Sequence, residues 1–311
     1  MEVFNLFVPK RLRLGSTIGV ICPASPEDSE VIDEKIAQFE NLGFNIKKGN
    51  HIYDRYGYLA GLDEHRAMDF EDIYCDREVD AVISFRGGYG TMRMMPYLNY
   101  KKILANHKIF CGYSDLTILL NYLSNKYNMV TFHAPMISSD FTVKATLDSL
   151  FLSLIEGYKP YTIENPEGFM LESNMDASSI GALAGGNLSL ICSSLGTPYE
   201  MDFKDKILFI EEVDESPYAI DRMLTQLSLC GKLHECKGFI LGQFTGCNLE
   251  NYTRSLTLNQ ILEEKLFTLN KPILFNFMSG HDNPKLTLPI GAKIQLDCKN
   301  KKINVLQKVV Q

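Results

Sequence analysis

Apolar and polar positions fall into alternating blocks through the first half of the chain. Residues 17–22 (TIGVIC) are an almost unbroken apolar run of strand length, and residues 30–42 carry apolar side chains at helical spacing until Gly43 stops them. The rhythm repeats with a strand at 44–47, a helix at 64–74, a strand at 80–85 (DAVISF) and a helix ending near Leu98. It continues with a strand at 108–111, a helix at 115–125, a strand at 129–132 and a helix at 143–155. Five alternations predict a parallel sheet with helices on both faces. In such a sheet the ligand crevice lies at the carboxyl ends of the strands. The loops after Cys22, Phe85, Cys111 and Phe132 converge there.

Residues 157–179 break the pattern, with Pro160, Pro166 and little periodicity. They divide the chain into a first domain at 1–160, a linker at 161–179 and a second domain at 180–311. In the second domain strands are predicted at 207–210, 238–241, 273–275, 286–289, 293–296 and 303–306, with helices at 218–229 and 255–266. Fewer helices per strand predict a smaller, β-rich α+β unit.

A length of 311 residues fits two domains. The net charge of −7 speaks against a nucleic-acid partner, which needs a basic surface. Eight cysteines are scattered without a CxxC pair, several inside apolar runs, so reduced buried thiols are expected. The start Met1-Glu2-Val3-Phe4 reaches Lys10-Arg11 only after an apolar stretch, the wrong order for a secretory signal. No apolar run approaches the roughly 20 residues that span a bilayer. The expectation is a cytoplasmic chain with no membrane partner.

Four segments can carry chemistry. In Gly112-Tyr113-Ser114-Asp115-Leu116, a serine stands between strand and helix. The helix N-terminus favours negative charge there, although serine is equally a common helix cap. Arg86-Gly87-Gly88-Tyr89-Gly90 follows another strand. It reads as a cradle of backbone N–H donors or as a turn that needs positive φ. Glu211-Glu212 ends a third strand, as orienting carboxylates or as part of a solvated acidic loop. His281 lies in a Gly-His-Asp-Asn-Pro turn, either as a general base or as a turn residue. No metal-binding histidine spacing occurs, so a catalytic metal is not expected. Together the four supply nucleophile, base, orienting carboxylate and backbone donors for acyl transfer, split between the two domains.

The chain resembles the LD-carboxypeptidases and the related microcin-immunity peptidases. The resemblance is carried by 18–25 (IGVICPAS), 86–90 (RGGYG), 112–117 (GYSDLT), 133–136 (HAPM), 185–188 (GGNL), 196–199 (GTPY), 208–212 (LFIEE) and Gly280-His281. It implies a flavodoxin-like N-terminal domain followed by a smaller β-rich domain, a homodimer and no cofactor. It further implies a Ser-His-Glu triad of Ser114, His281 and Glu211, with the backbone N–H groups of Gly88 and Asp115 as an oxyanion hole. Arg86 and Arg222 are candidate partners for the substrate carboxylate. The implied activity is serine-type hydrolysis of the L,D-peptide bond before the terminal D-alanine of murein tetrapeptides, in cell-wall recycling. Two alternatives stand beside it: an immunity-type peptidase or amidase acting on aminoacyl-adenylate conjugates, and a non-catalytic muropeptide or nucleotide binder. The glycine loop resembles the carboxypeptidase branch, and the chain has no tryptophan to stack an adenylate.

Overall fold

The five expected parallel strands form as β1 (Thr17–Ile21), β2 (Asn45–Lys48), β3 (Ala81–Ser84), β4 (Ile109–Gly112) and β5 (Thr131–His133). The computed structural model describes residues 6–311, so the Met1-Glu2-Val3-Phe4 start lies outside the described residues. Nine further strands follow. They are β6 (Tyr161–Ile163), β7 (Glu172–Ser173), β8 (Ser178–Asn187), β9 (Lys206–Val213), β10 (Gly238–Thr245), β11 (Ile273–Phe275), β12 (Leu288–Ile290), β13 (Lys293–Asp297) and β14 (Lys302–Val305).

The first sheet has the order β12-β5-β4-β3-β1-β2. Strands β3 and β4 are buried along their whole length, which is why they read as continuous apolar runs rather than alternating ones. The second sheet has the order β6-β14-β13-β8-β9-β10-β11-β7. Its centre, β8 to β11, is parallel, and its flanks are antiparallel.

Three elements differ from the expectations. The strand placed at 286–289 in the second domain is β12, and it pairs antiparallel with β5 in the first sheet, Leu288 opposite His133. Periodicity identifies a strand but not its partner, and the edge of β5 needs cover. The stretch expected as a linker supplies β6 and β7, the two edge strands of the second sheet. Strand β8 falls in a glycine-rich segment that carried no strand signal. Its glycines serve close packing: a Cβ on Gly185 would lie 2.0 Å from the Phe209 carbonyl oxygen.

The two sheets share one apolar core. Ile18, Val20, Ile83 and Phe132 of the first belong to the same buried cluster as Leu183, Phe209, Ile240 and Ile294 of the second. Polar contacts reinforce the junction. Asn121, on the helix Thr117–Tyr127, donates to the Gly185 carbonyl at 2.9 Å and accepts from its N–H at 2.8 Å. Thr117 Oγ1 accepts from the Asn187 N–H at 3.1 Å. No helix among the described residues is long and apolar enough to cross a membrane.

Candidate active site

Ser114 follows β4 and opens a 3₁₀ turn, Ser114–Leu116, that leads into the helix Thr117–Tyr127. Its φ is +60°. A non-glycine residue in the left-handed region stores about 1–3 kcal/mol of strain. The helix-cap reading is not realised: neither the turn nor the helix has a side-chain cap bond. The strained turn instead leaves the hydroxyl without a bond to the helix backbone.

The glycine loop lies directly against this serine. A Cβ on Gly87 would sit 2.8 Å from Ser114 Cβ and 3.0 Å from its Oγ. Gly88 has φ +118°, and a Cβ there would meet Ser25 Oγ at 2.2 Å. Ser25 backs the loop, its Oγ accepting from the Tyr89 N–H at 3.2 Å. The loop's far end is fixed twice. The Asp115 carboxylate accepts from the Thr91 N–H at 2.7 Å, and buried Arg66 donates to the Gly90 carbonyl at 2.8 Å. Burial raises the pKa of Asp115.

Strand β9 runs on through Glu211 and Glu212, which are 0% and 2% exposed, so neither belongs to a solvated loop. Alternation along a strand points neighbouring side chains to opposite faces, and their partners differ accordingly. Glu211 Oε2 lies 2.7 Å from His281 Nδ1. Glu212 accepts from the Asn187 amide at 2.7 Å and from the Ser189 N–H at 2.8 Å, at the start of the helix Leu188–Ser194. Burial raises the pKa of Glu211, and His281 pulls it back.

Two residues not singled out in the sequence hold the His281 loop. Gln243 accepts from the Asp282 N–H and donates to the Pro284 carbonyl, both at 3.1 Å. Lys285 is buried and donates to the carbonyls of His281 at 2.6 Å and Asp282 at 3.0 Å. Burial depresses its pKa. Neither carried a motif; only their burial beside the loop reveals them. A cleft of about 950 Å³ lies beside the same loop, lined by Gln243, Phe244, Tyr252, Phe277 and Asp282 but by no member of the expected triad.

The halves of the site meet at Tyr113. Its ring stands edge-on to His281, centroids 5.0 Å apart, and Lys285 Nζ is 5.9 Å from its centre. Burial and the nearby Glu211 charge push the Tyr113 hydroxyl up to about 12. Ser114 and His281 stand on adjoining loops without a hydrogen bond between them in the described structure. Arg86 pairs with Glu27 at 2.7 Å. Arg222 is exposed on the helix Pro217–Leu229, over the Tyr218 ring at 5.8 Å.

His133, at the end of β5, packs under Tyr113 and against Phe209 at centroid distances of 5.9 and 4.9 Å. Burial, and secondarily His281, hold its pKa down at about 3. A base with a depressed folded-state pKa adds stability above its unfolded value of 6.5 and loses it as pH falls toward 3. Urea midpoints of His133→Phe are therefore expected to fall less steeply than wild type across that window. Parallel slopes would remove His133 as a source of acid sensitivity.

Known proteins share this arrangement of sheets. The sequence profile of the LD-carboxypeptidase N-terminal domain matches residues 18–134, and that of the LD-carboxypeptidase C-terminal domain matches residues 180–296. A probable murein peptide carboxypeptidase of Bacillus subtilis is 40% identical, the match covering 96% of this chain and 94% of that protein. The microcin C7 self-immunity protein MccF of Escherichia coli is 27% identical over 95% of this chain and 94% of its own length. The crystal structure of a muramoyltetrapeptide carboxypeptidase from Oxalobacter formigenes superposes with a TM-score of 0.82 at 30% identity, covering 93% of this chain and 97% of that one. The chain belongs to the LD-carboxypeptidase family.

Proposed function

We propose that this carboxypeptidase is serine-type and hydrolyses the L,D-peptide bond before the terminal D-alanine of murein tetrapeptides. The observation that carries the reading is the 2.7 Å pairing of buried Glu211 with His281, on a loop that adjoins the strained Ser114 turn. With Nδ1 held by Glu211, His281 Nε2 takes the proton of Ser114. Ser114 Oγ attacks the carbonyl carbon, and the N–H groups of Gly88 and Asp115 hold the oxyanion. One such donor contributes roughly 10²–10³ in rate. His281 then passes its proton to the leaving amine, releasing D-alanine. Water, deprotonated by the same imidazole, hydrolyses the acyl-enzyme. Arg86 opens the glycine loop and is the better-placed cation for the substrate carboxylate; Arg222 lies on an exposed helix face. The family resemblance adds a cytoplasmic homodimer acting in cell-wall recycling.

The likeness to MccF supports a second reading, hydrolysis of an aminoacyl-adenylate conjugate. Purified protein assayed on a murein tetrapeptide, the same peptide amidated at its C-terminus, and an aminoacyl-adenylate conjugate separates the two. Release of D-alanine from the free acid alone is the expected result. Turnover confined to the adenylate conjugate would reverse the order of the readings.

A further inference from the structure

His51, Asp54 and His65 form a compact group outside the triad. His51 Nδ1 lies 2.9 Å and His65 Nδ1 3.2 Å from the same oxygen, Asp54 Oδ2. The two rings stack with centroids 4.1 Å apart, and one ligand atom from each residue falls within 4.8 Å of the others. It is the one such trio among the described residues.

The surroundings fix these groups from outside. The Asp69 carboxylate accepts from the His51 N–H at 3.1 and 2.9 Å. The Asp54 N–H donates to the His51 carbonyl at 3.0 Å. Gly61 has φ +90°, and a Cβ there would lie 2.8 Å from Asp54 Cβ. His65 sits on the helix Asp63–Cys75, whose Arg66 holds the Gly90 and Pro23 carbonyls.

We propose that His51, Asp54 and His65 bind a divalent cation of the zinc class through the two Nδ1 atoms and one Asp54 oxygen. Two imidazoles and a carboxylate are zinc ligands, and three protein ligands leave a fourth position for water. With metal–ligand bonds of about 2.0–2.1 Å, ligand atoms in a tetrahedral site stand about 3.3 Å apart. The two nitrogen–oxygen separations here lie close to that value. The stacked rings must splay for both lone pairs to meet one ion, a side-chain rotation that half-buried histidines can make. The ion would brace the 51–65 loop against the segment behind the glycine loop, since the Ala60 N–H donates to the Ala24 carbonyl at 2.9 Å. The spacing, two residues and then ten, matches no motif, so only the fold assembles the site.

The test uses tag-free, chelator-treated protein titrated with Zn(II) by calorimetry and with Co(II) by its visible d–d absorption. One equivalent is expected to bind, and saturating Zn(II) raises the unfolding midpoint as mass action requires. His65→Gln and Asp54→Asn lose at least about tenfold in affinity. Unfolding midpoints measured in chelator control for folding, and His51→Gln replaces a variant that fails that control. Absence of saturable uptake by the wild type overturns the assignment, as does affinity unchanged in every folded variant. A Co(II) spectrum dominated by thiolate charge transfer also overturns it, by placing the ion on cysteine.

Discussion

Ser114→Ala is expected to lower kcat for D-alanine release by on the order of 10⁶-fold, the loss seen when a triad nucleophile is removed elsewhere. The same position offers a second readout. At φ +60°, alanine keeps the left-handed strain and glycine relieves it. Ser114→Gly should therefore be as inactive as Ser114→Ala yet about 1 kcal/mol more stable than it. Activity assays and urea unfolding on the two variants separate chemistry from strain. An alanine variant that turns over normally removes Ser114 as nucleophile, and equal stabilities remove the strain argument.

Glu211→Gln is expected to lower kcat by about 10⁴-fold, as in another triad where the orienting carboxylate became an amide. Stability should move the other way. Burial raises the folded-state pKa of Glu211 above the ordinary 4.5, so the folded chain binds a proton that the unfolded chain has lost. That contribution is present below pH 4.5 and disappears as pH rises through the folded value. Glutamine carries no buried charge, so its stability relative to wild type should improve across the same interval. Glu212→Gln is the control. Its carboxylate binds Asn187 and Ser189 rather than His281, so it should change unfolding far more than kcat. A Glu211→Gln enzyme with unchanged kcat would break the triad assignment.

Much of this architecture is legible in the chain because parallel strands buried on both faces write themselves as apolar runs. TIGVIC and DAVISF became β1 and β3 within a residue or two of the expected bounds. Strand β8 was not legible, because its three glycines look like turn signals when they are demanded by close packing, Gly181 against the Asp205 carbonyl, Gly185 against the Phe209 backbone and Gly186 against the Thr117 side chain. Strands β6 and β7 are three and two residues long, too short for a period to register. At the site, the sequence could place Ser114, Glu211 and His281 after strands. It could not see that β9 continues through both glutamates, which is what sends Glu211 to the histidine and Glu212 to a helix terminus. The roles of Gln243 and Lys285 depend on contacts between segments distant in sequence, which leave no local pattern. The histidine–aspartate trio was invisible for the same reason.

Strand β12 has a consequence for how the protein is made. The first sheet is built from residues synthesised early, except for the one strand that covers β5. Until Leu288–Ile290 leaves the ribosome, on the order of ten seconds or more after His133 at ordinary elongation rates, β5 presents an open edge. A nascent or truncated first half is thus a five-stranded sheet with one sticky edge. The chain has to be nearly finished before its beginning is safe from neighbours, which makes late truncations a greater hazard to the cell than their length suggests.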